Sequence, residues 1–136
     1  MPEAFSWSVR VYYEDTDAGG IVFYANYLKF FERARTEWLR HAGIDQLALA
    51  RTDGVMFVVR NAELGYLRPA RLDDLLTVTA TVEKQGRASL QFYQECRRGD
   101  ELLVTCRVKV ACVTSDGLAP CAMPPAVLAR TRSSAG

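Results

Sequence analysis

The sequence predicts an α+β domain in which one long helix is wrapped by a five-stranded antiparallel sheet, and three observations carry that expectation. One amphipathic stripe runs from Tyr27 to Ala42, enough for about four helical turns. One stretch before it and four after it have the two-residue period of strands. Short turns such as Gly86-Arg87 and Gly99-Asp100, rather than further helices, separate the later strands.

The elements follow in order. Val9 and Val11 alternate with Arg10 and Tyr12, as in a half-buried strand. Three acids come next, Glu14, Asp15 and Asp17, with Thr16 among them. Gly19-Gly20 can take positive φ and let backbone approach a ligand, and Ile21, Val22 and Phe23 then set an apolar wall beside a carboxylate. Asn26 is the expected N-cap of the helix, in which Tyr27, Phe30, Phe31, Ala34, Trp38, Leu39 and Ala42 share a face. Gly43 stops it, and His41 suits the negative end of its dipole. The positive end faces the acidic turn, where free N–H groups can polarise a carbonyl. Residues 45–53 read as a short helical connection. Strands are expected over 55–67, 75–85, 88–98 and 102–114, with short connections that suggest a meander around the helix. A single domain over 1–128 should end in a disordered tail over 129–136.

Composition excludes several classes. A formal charge of +1 provides no global field to recruit nucleic acid or a membrane surface. The N-terminus lacks a basic segment followed by an apolar core, and no run approaches the length of a membrane span, so a cytoplasmic protein is expected. The four cysteines show no CxxC spacing and read as buried free thiols. With one histidine and no paired ligands, no metal is expected. That histidine, His41, sits at the wrong end of the helix to serve a serine or cysteine nucleophile in the acidic turn. No glycine-rich nucleotide loop is present. Carboxylate chemistry remains. Asp17 also suits the plain role of accepting backbone hydrogen bonds in a turn, and turn or solvent roles are favoured for Glu14 and Asp15. Glu32 and Arg35 read as an intrahelical ion pair.

The stretch YYEDTDAGGIVFYANYLKFFERARTEWLR makes the pattern specific. Arg10-Val11, Thr16-Asp17 and Gly20-Ile21-Val22, at their spacing, resemble the signature of the 4-hydroxybenzoyl-CoA thioesterase family of hotdog-fold enzymes. Within that family the stretch is most similar to the YbgC-type acyl-CoA thioesterases encoded with the Tol-Pal system. The resemblance implies a hotdog fold, hydrolysis of acyl-CoA or acyl-carrier-protein thioesters, Asp17 as catalytic carboxylate and the backbone amide of Tyr24 as the carbonyl-polarising donor. It implies no cofactor, coenzyme A being part of the substrate. An association with Tol-Pal or phospholipid synthesis rests on the resemblance alone. Tyr24 stands where many YbgC-type chains carry His and the hydroxybenzoyl-CoA enzymes often carry Tyr, which leaves the acyl preference open.

A chain of this size cannot cover both faces and both edges of a long sheet, so pairing with a second copy is expected. The resemblance implies dimers that assemble into a homotetramer, with the site at the dimer interface. Phe23, Tyr24, Tyr27 and Phe31 are candidates for lining the acyl end, or for ordinary core. The coenzyme phosphates call for cations, and Lys84, Arg87, Arg97 and Arg98 near the predicted hairpin ends are candidates, ordinary surface charge being the alternative. Two other classes stay in view: a hotdog dehydratase, which a turn without histidine disfavours, and a non-catalytic acyl-group or acyl-carrier-protein binding subunit.

Overall fold

A computed structural model describes residues 5–135. The first four residues of the expected domain and the last residue of the expected tail lie outside them. Five strands, β1 (Phe5–Arg10), β2 (Val55–Tyr66), β3 (Leu75–Gln85), β4 (Ser89–Arg98) and β5 (Glu101–Thr114), form one antiparallel sheet in the order β1-β3-β4-β5-β2. The long helix α1 (Tyr27–His41) packs on its inner face, giving the hotdog arrangement.

The periods explain the packing. Leu76, Val78, Ala80 and Val82 of β3 are buried, and the intervening threonines face the other way. On α1, Tyr27, Phe30, Phe31, Ala34, Trp38 and Leu39 are buried against that face, and Trp38 meets Phe92 of β4 edge-on at 5.5 Å. Removing either buried phenylalanine of the helix would cost about 3–5 kcal/mol. A buried amide locks helix to sheet: Gln94 donates to the carbonyls of Phe31 and Thr79, both at 3.0 Å, and accepts from Arg35 Nη1 at 2.9 Å. Arg35 thus reaches the sheet instead of forming the expected ion pair with Glu32, and burial lowers its pKa.

The expected four-strand meander holds only for β3, β4 and β5. β2 lies at the far edge beside β5, and β1 takes the place next to β3, with Val9 opposite Leu76. The reason lies in residues 67–74, which bond to the acidic turn instead of turning tightly into β3: Leu72 N–H donates to the Gly20 carbonyl and Asp73 N–H to that of Val11, both at 3.0 Å.

Two further expectations change. Asn26 is not a side-chain cap: a 3-10 turn, Tyr24–Asn26, runs straight into α1, and Asn26 is itself helical. The helix stops where expected, at Gly43 with φ +82°. The disordered tail expected over 129–136 is instead mostly helix α3 (Pro125–Ala135), preceded by the short α2 (Gln46–Ala48) in the earlier connection. Proline at the first position presets the helical φ, and the sheet beyond α1 supplies an apolar surface for Val127. Gln85 secures it, donating to the Leu128 carbonyl at 2.9 Å and to Thr131 Oγ1 at 2.6 Å. Cys96, Cys106 and Cys112 are buried free thiols, pushed up by burial to about 12, 11 and 12.

Candidate active site

The acidic turn is built from main-chain bonds. Val11 N–H donates to the Asp74 carbonyl, a 3-10 turn follows at Tyr13–Asp15, and Thr16 bridges Val22 across a tight loop. Asp17 N–H donates to the Ile21 carbonyl at 2.9 Å, and Gly20 N–H returns to the Asp17 carbonyl at 3.1 Å. Closing this loop puts Gly20 at φ +79°, where a side chain would be strained.

The three acids separate completely. Glu14 is exposed and its carboxylate makes no hydrogen bond among the described residues. Asp15 is 5% exposed; Oδ2 accepts Tyr12 N–H and Oδ1 accepts Asn26 Nδ2–H, both at 2.9 Å. It therefore staples the end of the first strand to the start of the helix, which is why Asn26 is not free to cap. Asp17 is exposed, and its Oδ1 accepts Gly19 N–H at 2.8 Å with a long contact to Ile21 N–H at 3.4 Å. Its Oδ2 has no partner among the described residues. One oxygen orients the group and the other keeps its lone pairs available.

Phe23 is extended and donates its N–H to the Asp15 carbonyl at 3.0 Å. Tyr24 is then the first residue of the helical run, and among the described residues nothing accepts its N–H. An unbonded amide at the positive end of a helix can donate to an oxygen on which negative charge develops.

Of the candidate lining residues, Ile21, Val22, Tyr24 and Tyr27 border an open cleft of about 260 Å³, which Tyr66, Leu67, Arg68 and Pro69 complete. Phe23 is half-exposed beside it. Phe31 is wholly buried in the core, and Tyr27 is 2% exposed with its phenol oxygen accepting Ala70 N–H at 3.0 Å. Burial raises the Tyr27 and Tyr66 phenols, so both stay protonated at neutral pH.

The four candidate cations are not gathered together. Arg97 and Arg98 stand at the end of β4 that faces the start of β3, but Arg97 pairs with Glu95 at 2.9 Å and Arg98 with Asp74 and Glu101, each at 2.6 Å. These carboxylates raise both guanidinium pKa values. Through Asp74, which also accepts Arg71 N–H at 2.8 Å, Arg98 braces the segment that holds the site loop. Lys84 and Arg87 lie toward the opposite end of the β3–β4 hairpin, roughly 20 and 35 Å away along the strand. A cation that the sequence reading missed is closer. Arg71 bridges Ile21 through its backbone, and it is exposed, its guanidinium without a partner among the described residues. Tyr66 was missed as well. Neither residue carries a local signal, since only a long-range crossing of residues 67–74 brings them to the loop.

Known proteins resemble the chain over most of its length. A family model described as the thioesterase superfamily matches residues 19–109. The chain is 45% identical to the acyl-CoA thioesterase YbgC of Haemophilus influenzae over 129 residues, covering 95% of each. It is 44% identical to the acyl-CoA thioester hydrolase YbgC of Escherichia coli O157:H7, covering 92% of this chain and 93% of the relative. A crystal structure of a probable thioesterase from Bartonella henselae superposes with a TM-score of 0.85 at 36% identity, covering 90% of this chain and all of that one. Fold, loop signature and near end-to-end likeness agree, and the chain belongs to the thioesterase superfamily.

Proposed function

We propose that the chain is an acyl-CoA thioesterase in which Asp17 is the working carboxylate and the Tyr24 amide the oxyanion donor. The reaction is RCO–SCoA + H2O → RCOO⁻ + CoASH + H⁺. The thioester carbonyl oxygen sits on the Tyr24 N–H, which polarises it and stabilises the negative charge that develops there. Asp17 Oδ2 then either attacks the carbonyl carbon, expelling the thiolate and leaving a mixed anhydride for water to cleave, or takes a proton from a water that attacks directly. Both routes use the same two groups. The observation that carries the reading is one carboxylate oxygen left unbonded in a loop that leads to an unbonded helix-start amide. Relatives named as acyl-CoA thioesterases support the substrate class. Coenzyme A enters as part of the substrate, and two cations stand by the loop to meet its phosphates: Arg68, which borders the cleft and pairs with Glu101 at 3.3 Å, and Arg71, whose backbone bridges Ile21.

Turnover of a panel of short aliphatic, long aliphatic and aromatic acyl-CoA thioesters tests the proposal. Release of free thiol well above the uncatalysed rate supports it. Tight binding with hydrolysis at the background rate would instead identify an acyl-binding subunit.

The working form is a homo-oligomer, dimer or tetramer. In one chain Asp17 is open to water and Tyr24 is 65% exposed, whereas charge stabilisation of this kind needs water excluded. The outer edge of β2 is also unpaired among the described residues. Light scattering should give at least twice the chain mass of 15.2 kDa, and a stable monomer would remove a shared site. No helix among the described residues is long and apolar enough to cross a membrane. A cytoplasmic place of action, where acyl-CoA is found, belongs to the same proposal.

A further inference from the structure

Beyond the Leu72 bond to Gly20, three bonds tie the site loop and the helix start to residues 66–70. Val22 N–H donates to the Ala70 carbonyl at 2.9 Å, and Ala70 N–H donates to the Tyr27 phenol oxygen at 3.0 Å. The third runs from the Tyr66 hydroxyl to the Tyr24 carbonyl at 2.9 Å. The first two join buried residues and hold the loop to the core. The third comes from a side chain that is 49% exposed, and it lands on the residue that carries the free amide. No other side chain among the described residues bonds to the Tyr24 main chain. Since Tyr24 is the first helical residue, no intrahelical bond restrains its N–H. The Phe23 carbonyl, on the same peptide plane as that N–H, accepts Asn26 N–H at 2.8 Å, and the Tyr66 bond to the carbonyl of the next plane adds a second hold on the turn, from β2.

The ring of Tyr66 has a second position of consequence. It lies edge-on to the Tyr24 ring, with centroids 6.4 Å apart and planes at 79°, and tilted against the Tyr27 ring at 5.8 Å. These three rings, with Ile21, Val22 and Pro69, border the cleft beside the loop. Aromatic groups gain from edge and offset contacts that a linear chain of equal size cannot make.

We propose that Tyr66 is a positioning and specificity-determining residue. Its hydroxyl holds the Tyr24 turn so that the amide meets the thioester oxygen, and its ring is a wall that favours aromatic acyl groups over linear ones. The inference rests on the thioesterase reading above. A hydroxyl that acts this way should matter more in the transition state than in the ground state, because the charge on the thioester oxygen grows as the carbonyl is attacked.

Steady-state kinetics of the full chain, Tyr66→Phe and Tyr66→Leu, with benzoyl-CoA and hexanoyl-CoA, separate the two roles. Tyr66→Phe keeps the ring and loses the hydroxyl. It should lower kcat about 2- to 10-fold on both substrates, the worth of one neutral hydrogen bond, with KM unchanged. Tyr66→Leu should show that loss and, in addition, lower the benzoyl to hexanoyl ratio of kcat/KM about 2- to 10-fold. Thermal unfolding of both variants checks the fold, which a half-exposed residue should leave intact. An unchanged kcat in Tyr66→Phe, a loss confined to KM, or a loss matched by a collapse of the unfolding midpoint overturns the positioning role. An unchanged ratio in Tyr66→Leu overturns the specificity role. Absence of turnover in the unsubstituted chain would overturn the thioesterase reading itself, and Tyr66's role with it. That outcome is distinct from an active enzyme indifferent to Tyr66.

Discussion

Asp15 and Asp17 stand in the same turn and do opposite work. Asp15 is buried, and each of its oxygens accepts one hydrogen bond, from Tyr12 and from Asn26. Asp17 is exposed, and only one of its oxygens is held. A carboxylate with both oxygens committed to nearby donors fixes structure, while one with a spare oxygen can act on something else. Residue type and sequence neighbourhood barely distinguish the two. What separates them is which side of the turn meets the helix, so the comparison can be broken by exchanging carboxylate for amide at each acid.

The largest effect should come from Asp17→Asn. The amide is nearly isosteric and its oxygen can still accept Gly19 N–H, so fold and binding should persist. It can neither attack a carbonyl nor accept a proton at neutral pH, and turnover should fall by about 10² to 10⁴ with the loss on kcat rather than KM. Retention of more than a tenth of the activity would remove Asp17 from the chemistry.

Asp15→Asn should fail differently. Both of its partners are donors, so an amide satisfies one and sets its own NH2 against the other in a buried site. The cost should be about 1–3 kcal/mol of stability, read from denaturant unfolding, with a smaller loss of kcat. Comparable kcat losses in the Asp15 and Asp17 variants, at equal stability, would dissolve the distinction between the two acids.

Glu14→Gln should do least. With no bond to lose, it should stay within about 0.5 kcal/mol in stability and about twofold in kcat. It is the charge control for the turn, a part that Asp15 cannot play because it is a staple. A large loss in Glu14→Gln would show that the net charge of the turn, not the geometry of Asp17, is what matters.

Much of this molecule is legible in its sequence. The three- and four-residue spacing from Tyr27 to Leu39 set the buried face of α1, the alternation in β3 and β4 set the inner face of the sheet, and Gly43 set the helix end. The resemblance of the stretch to a hotdog-enzyme signature, rather than any period, pointed to Asp17, Gly20 and the start of the helix as a candidate constellation. These features are local: each depends on which way successive side chains point along a helix, strand or turn, and that direction is written into the order of residues.

Tertiary structure decided the rest. It placed β2 at the far edge of the sheet and laid residues 67–74 across the site loop. It turned Asn26 from a cap into the partner of Asp15, and committed Arg98 to Asp74 and Glu101. It also brought Tyr66 onto the Tyr24 carbonyl, 42 residues away along the chain, and folded residues expected to be loose into α3. A hydrogen bond or ion pair takes its partner from whichever group the fold brings within about 3 Å. That choice depends on the path of chain segments far apart in sequence, which no local period encodes.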